Sequence, residues 1–248
     1  MPNPEIEYKT YQPDYTGMTV RELPYASLQD PAGETKEYRL DLILPEQPGS
    51  RALPVVFFVH GGGFLPPCDK RQAYISRFAR ALTVAGYAVV SPDYPLFRDE
   101  EEMTRCGGEA CIYPLAGCAV HQAYQFLCGC AEEYSLDMSR AAIMGGSAGS
   151  MTAIYAAAGS HDPYRAAVNL WGVPAVLPDL TDFPPTLSVH GTADPLVPFD
   201  REAGFQDALR ARGVPHTLIA LEGEGHTPLG KMDLFLPCIL DFLKQYLR

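Results

Sequence analysis

Gly145-Gly146-Ser147-Ala148-Gly149 joins a strand-like run, Ala141–Met144, directly to a helix-like run, Ser150–Ala158. A chain passes from strand to helix this abruptly only where the residues at the bend are small, and glycine tolerates the strained backbone cheaply. The G-x-S-x-G spacing meets that demand and leaves a serine at the apex, its hydroxyl pushed clear of the sheet. The bend carries chemistry only if other segments supply a base, an acid and an anion-binding loop at the same edge.

The surrounding pattern alternates strands with helices. Val55-Val-Phe-Phe-Val59 is an unbroken apolar run of the kind buried on both faces of a sheet, and it ends at His60-Gly-Gly-Gly-Phe64. Helical spacing over Gln72–Ala85, stopped by Gly86, leads to the strand Tyr87–Ser91 and predicts a right-handed parallel crossover. Val20–Tyr25 and Tyr38–Leu44, separated by the turn-rich Gln29–Gly33, predict an antiparallel hairpin at the sheet edge. Downstream, strands are expected at Arg140–Met144, Ala166–Leu170, Thr186–His190 and His216–Leu221, with helices over Pro114–Glu133, Glu202–Arg212 and Met232–Leu247. The fold class is α/β: one domain over residues 1–248, with a mostly parallel sheet of about eight strands, an antiparallel N-terminal edge and helices on both faces. Residues 1–18 read as a surface arm with Tyr8, Tyr11 and Tyr15 as aromatic anchors, and residues 95–114 as an irregular insertion near the active site.

The formal charge of -11 gives an acidic surface that repels nucleic acid and anionic membranes, so neither is expected as a partner. No apolar stretch approaches the ~20 residues that span a bilayer, and the N-terminus lacks a basic start followed by an apolar core; a cytoplasmic location is expected. Five of the seven cysteines, Cys106, Cys111, Cys118, Cys128 and Cys130, fall within 25 positions that include His121. None forms a paired C-x-x-C, and Cys118, His121 and Cys128 sit in an apolar helical pattern, so core packing and not a metal site is expected. Cys106 and Cys111 are close enough in sequence for a local bridge in an oxidising compartment.

A serine hydroxyl attacks only when a base takes its proton, and that base needs an orienting acid. Of six histidines, His226 lies in Gly223-Glu-Gly-His-Thr-Pro228, directly after a strand, at the sheet edge where catalytic groups gather. His60 and His190 also end strands, but each begins a glycine-containing turn whose backbone matters more than the imidazole. Asp194, in the loop after Thr186–His190, is the best-placed acid; Asp93, Glu222 and Glu224 are weaker competitors. For the oxyanion, Gly62 and Gly63 with the N–H of Ala148 are the expected donors, because glycine lets backbone approach a substrate closely. Phe64, Leu65, Tyr94, Leu96, Phe97 and Trp171 are candidate pocket walls, lying at or after strand ends.

His60-Gly-Gly-Gly-Phe64, Gly145-Gly-Ser-Ala-Gly149, His190-Gly-Thr-Ala-Asp194 and Gly225-His226 together resemble the α/β-hydrolase superfamily, particularly carboxylesterases related to hormone-sensitive lipase. The N-terminal strands with Arg39-Leu-Asp-Leu and Pro45 also resemble the group that includes feruloyl and acetylxylan esterases. The order Ser147, Asp194, His226 is that of an α/β-hydrolase triad. The resemblance implies a serine esterase acting on small-molecule or oligosaccharide esters, with no cofactor and no metal. Amidase, arylformamidase or peptidase activity on the same triad, and a noncatalytic ligand-binding protein of this fold, are the alternatives.

Overall fold

Alternate residues of the apolar run in the third strand point into two different cores. In the computed structural model, which describes residues 13–159 and 164–248, strand β3 (Leu53–Val59) is buried along its whole length. Val55, Phe57 and Val59 join one hydrophobic cluster, while Val56 and Phe58 join a second on the opposite face of the sheet. A strand's period of two makes a continuous apolar run the natural sequence for a position covered on both sides.

Among the described residues, eight strands form a single sheet: β1 (Met18–Gln29), β2 (Thr35–Pro45), β3, β4 (Ala88–Pro92), β5 (Leu136–Gly146), β6 (Tyr164–Leu170), β7 (Thr186–Gly191) and β8 (His216–Leu221). Their spatial order is β1-β2-β4-β3-β5-β6-β7-β8. β1 pairs antiparallel with β2, and β2 antiparallel with β4; every other neighbour is parallel. The antiparallel edge and the parallel body follow the expected pattern, but β1 and β2 run beyond the expected Val20–Tyr25 and Tyr38–Leu44, because Ser27–Gln29 and Thr35–Glu37 continue the pairing.

Five of the six α-helices in the described residues cover the faces. α1 (Ala73–Val84) and α6 (Met232–Leu247) pack on one face; α3 (Tyr113–Cys130), α4 (Ala148–Gly159) and α5 (Phe199–Ala211) pack on the other. The buried residues of α6, Met232, Phe235, Ile239, Leu243 and Leu247, recur every three or four positions and form one stripe. A right-handed connection that moves toward the β1 edge puts its helix on one face, and a connection toward β8 puts it on the other. The chain leaves β3 in the first direction, through α1 to β4, and from β4 through α3 to β5 in the second. The reversal falls between β3 and β5, the place where open α/β sheets form a crevice at the strands' carboxyl ends.

Two differences from the sequence reading have local causes. β5 starts at Leu136, four residues before the expected Arg140, because Leu136 and Asp137 already pair with Leu53 and Pro54 before the register shifts. The region read as irregular contains a short helix, α2 (Glu100–Arg105), whose N-cap Asp99 accepts from the Glu102 N–H at 2.8 Å. Asp-x-x-Glu is a helix-start signal, and Glu102 turns back to accept from the Arg98 N–H at 2.6 Å. Of the proposed arm anchors, Tyr15 packs against the second cluster; Tyr8 and Tyr11 lie outside the described residues, as do His161 and Asp162. Among the described residues, no helix is long and apolar enough to cross a membrane.

Phe57, fully buried on the central strand, meets the rings of Tyr124 and Tyr164 at centroid distances of 5.8 and 5.9 Å. Phe57→Ala is expected to cost about 3–5 kcal/mol of stability, read as a lower midpoint in urea denaturation with an unchanged slope.

Candidate active site

Ser147 occupies the single position between β5 and α4 and has a left-handed backbone, φ 55°. Its N–H donates to Leu170 O at 2.9 Å, which ties the bend to β6. The flanking glycines are required by space. A Cβ at Gly149 would lie 2.2 Å from Val59 O, and one at Gly145 would lie 2.3 Å from Gly149 O. The first turn of α4 therefore presses onto the end of β3, and the serine is held upright at the sheet edge.

His226, in the loop after β8, reaches Ser147: Ser147 Oγ is 2.9 Å from His226 Nε2. His226 Nδ1 lies 2.7 Å from Asp194 Oδ2 in the loop after β7. The other carboxylate oxygen of Asp194 accepts from the Leu196 and Val197 N–H groups at 2.8 and 3.0 Å. Burial works against a charge on Asp194, yet hydrogen bonds from His190 and His226 outweigh it and hold the carboxyl well below the usual carboxylate range. Two of the competing acids, Asp93 and Glu224, are engaged elsewhere. Asp93 binds Lys70 through its backbone N–H at 2.9 Å and its ammonium at 2.6 Å, and Glu224 lies 3.5 Å from the Lys231 ammonium.

The glycine loop after β3 is anchored from the start of α1. Gly61 N–H donates to Tyr74 Oη at 2.9 Å and Gln72 Oε1 at 3.1 Å, while Gln72 Nε2 donates back to Gly61 O at 3.2 Å. Tyr94 Oη donates to His60 O at 2.7 Å. The Gly61 peptide is thereby occupied on both sides, and Gly61, Gly62 and Gly63 line the same cavity as Ser147, Ala148 and His226. Nothing in the sequence pattern marked Gln72 and Tyr74, because their role depends on how α1 docks against β3.

The cavity has a volume of about 980 Å³. Leu65 and Trp171 are on its wall. Phe64, Tyr94 and Phe97 are instead buried in the first hydrophobic cluster, with Leu96 packed against it. These four follow a strand end in sequence, but their side chains turn inward: the Phe64 ring lies 5.6 Å from Tyr113 and 6.2 Å from Tyr94. Polar groups unmarked in the sequence take part of the wall, including Glu109 from the insertion and Arg201 at the start of α5, paired at 3.5 Å.

His60 and His190 divide. The His60 ring stacks on Tyr94 at 4.3 Å with Nδ1 2.9 Å from Gly61 O, a buried structural role. His190 does more than begin a turn: its Nε2 is 3.3 Å from Asp194 Oδ2. Cys106 and Cys111 are not bridged to each other; burial, with Cys106 alongside, raises the Cys111 thiol above its ordinary range. Gly149→Ala is expected to cost at least ~2 kcal/mol, since the new methyl meets backbone that cannot give way, and the urea midpoint measures it.

A family model described as BD-FAE matches residues 40–165, just over half of the chain. A second model, the prolyl oligopeptidase family, matches residues 174–248. No curated protein matches the chain. Among solved structures, a bacterial heroin esterase is 20% identical with a TM-score of 0.75, covering 95% of this chain and 86% of that one. A truncated carbohydrate esterase from gut microbiota is 19% identical with a TM-score of 0.72, covering 95% and 99%. An esterase of Pyrobaculum calidifontis is 18% identical with a TM-score of 0.72, covering 97% and 88%. The likeness extends over the whole sheet and its helices, which is the α/β-hydrolase fold, and by the extent of the family match the chain belongs to the BD-FAE family.

Proposed function

We propose that this protein is a serine esterase that cleaves short-acyl or carbohydrate-linked carboxylic esters through an acyl-Ser147 intermediate. The observation that carries the reading is the continuous hydrogen-bonded line from Ser147 Oγ through His226 to Asp194, at 2.9 and 2.7 Å. Both distances are within the reach a nucleophile, base and orienting acid need before substrate binds.

In this reading His226 Nε2 takes the Ser147 proton as the oxygen attacks the ester carbonyl. Asp194 accepts from Nδ1, holds the imidazole in the tautomer with Nε2 free, and stabilises the imidazolium that forms. In the same reading the tetrahedral oxyanion is met by the N–H groups of Gly62, Gly63 and Ala148, residues that line the cavity with Ser147. His226 then protonates the leaving alcohol, and water attacks the acyl-enzyme with the same base. Every proton moves between groups of this chain, substrate and water, so the cycle runs without a metal or organic cofactor.

The size of the cavity and its mixed wall support a substrate larger than a simple acetate, and one solved relative with this fold is described as a carbohydrate esterase. The prolyl oligopeptidase match over the segment that holds Asp194 and His226 supports a second reading, amide or peptide cleavage by the same residues. A panel of acetylated sugars, feruloyl esters, aryl formamides and dipeptides separates the two. Esters are expected to be turned over fastest, and a uniform preference for amides would overturn the esterase reading.

Ser147→Ala is expected to lower turnover of p-nitrophenyl acetate by several orders of magnitude, with the fold intact by circular dichroism. Asp194→Asn is expected to cost on the order of 10⁴ in kcat, since it favours the wrong tautomer of His226. Asp93→Asn leaves the triad in place and is expected to cost far less; the reverse ranking rejects Asp194 as the acid.

A further inference from the structure

Behind Asp194 lies a buried polar cluster that the proposed cycle does not use. His190 has no exposed surface, and neither has Glu202 on α5. His190 Nε2 lies 2.9 Å from Val197 O and 3.3 Å from Asp194 Oδ2, the oxygen that also accepts from His226. Its Nδ1 faces Glu202 Oε2 at 3.4 Å. Glu202 accepts from Asn169 Nδ2 at 2.7 Å on that oxygen and from Gln206 Nε2 at 2.6 Å on the other. Asn169 and Gln206 also contact Ser188 Oγ, at 3.2 and 3.0 Å. Amide donors on both oxygens make Glu202 an acceptor on each. The Val197 carbonyl on Nε2 requires a proton there, and the Glu202 carboxyl 3.4 Å from Nδ1, a nitrogen with no hydrogen bond of its own, favours a second proton by charge.

We propose that His190 is a positioning residue: held as an imidazolium between Asp194 and Glu202, it fixes the Asp194 carboxylate from behind and keeps His226 in its neutral, proton-accepting form at lower pH than Asp194 alone would allow. This rests on the triad reading above. The physical cause is competition for one oxygen. Asp194 stabilises a proton on His226 through Oδ2, and a cation on the same oxygen opposes a second positive charge there. Glu202 does not cancel the effect, since it sits on the far side of His190 and the pair presents its positive end to Asp194.

The other groups around these rings leave His190 as the cation nearest the acid. His226 faces Ser147 and Asp194. On its own loop Glu224 is paired with Lys231, and Glu109 and Arg201 elsewhere on the cavity wall are paired with each other. His190 faces Asp194, Glu202 and the ring of Phe199 at 5.9 Å. Burial disfavours a charge on His190, but Asp194, Glu202 and the Val197 carbonyl outweigh it and push its pKa up to about 9.

The test uses the full chain labelled with ¹⁵N in histidine. Both His190 ring nitrogens are expected to be protonated at pH 7.5, and a neutral ring at that pH overturns the inference without any variant having to fold. In parallel, the acid limb of kcat/KM for p-nitrophenyl acetate is compared among the unchanged chain, His190→Gln and Glu202→Gln. His190→Gln removes the cation, and Glu202→Gln removes the group that keeps the cation charged. Both are expected to move the acid limb to higher pH by roughly half a unit to one unit, with KM little changed. A merely structural role lowers the plateau without moving the limb, and a limb that stays in place or moves to lower pH overturns the inference. If the unchanged chain hydrolyses no ester, the esterase reading fails, and the same spectra still decide the inference: the His226 ring titration shifts upward in Glu202→Gln if it holds and is unmoved if it does not.

Discussion

Parallel pairing of β3 with β5 at the centre of the sheet is the constraint on which the site depends. Val55–Val59 runs beside Ala141–Gly145 in register, so the glycine loop after one strand and the serine bend after the other begin at the same edge. Gly149 then approaches the Val59 and His60 carbonyls more closely than any side chain permits. That contact is backbone against backbone, and it sets the serine relative to Gly62 and Gly63 without relying on a flexible side chain. Of the six described non-glycine residues with positive φ, four lie in loops at this edge: Phe64, Ser147, Trp171 and Thr227. Each such conformation costs on the order of 1–3 kcal/mol, and the two apolar clusters on either face of the sheet hold the strands that impose it.

The charged groups follow a second logic. An isolated buried charge is costly, but a chain of alternating charges and hydrogen bonds lets each neutralise its neighbours. From Ser147 the line runs inward through His226, Asp194 and His190 to Glu202 and the amides of Asn169 and Gln206, and from Asp194 onward it is buried. Its inner end rests on Asn169 of β6 and on Glu202 and Gln206 of α5, and its outer end opens on the cavity. The sheet and α5 thus reach the Ser147 hydroxyl through a line of side chains whose polar atoms contact one another.

Much of this was legible because it is local. Among the described residues, strand and helix periods located all eight strands and five of the six helices, and the small-residue spacing at 145–149 located the bend. The helix Glu100–Arg105 was missed although Asp99 and Glu102 carry its start signal, since a six-residue element shows no period. Phe64, Tyr94, Leu96 and Phe97 illustrate the opposite limit. Their position after a strand end suggested a pocket wall, but whether an aromatic residue in such a loop faces solvent or core depends on the neighbouring loop, here the start of α3 at Tyr113.

Residue types and their order determined which chemistry this chain can hold: a serine in a strained bend, glycines before it, and an acid and a histidine after it, each following a strand. Those features depend on steric freedom and on periods of two and 3.6, which act over a few neighbouring residues. The tertiary structure decided the partners. His226 meets Asp194 and not Asp93 because β7 and β8 are adjacent while β4 lies across the sheet. His190 shares the acid's oxygen because the loop after β7 folds back over its own strand end, and Gln72 and Tyr74 hold the glycine loop because α1 docks there. Such contacts join residues through the order of strands and the direction of side chains, neither of which a linear pattern specifies.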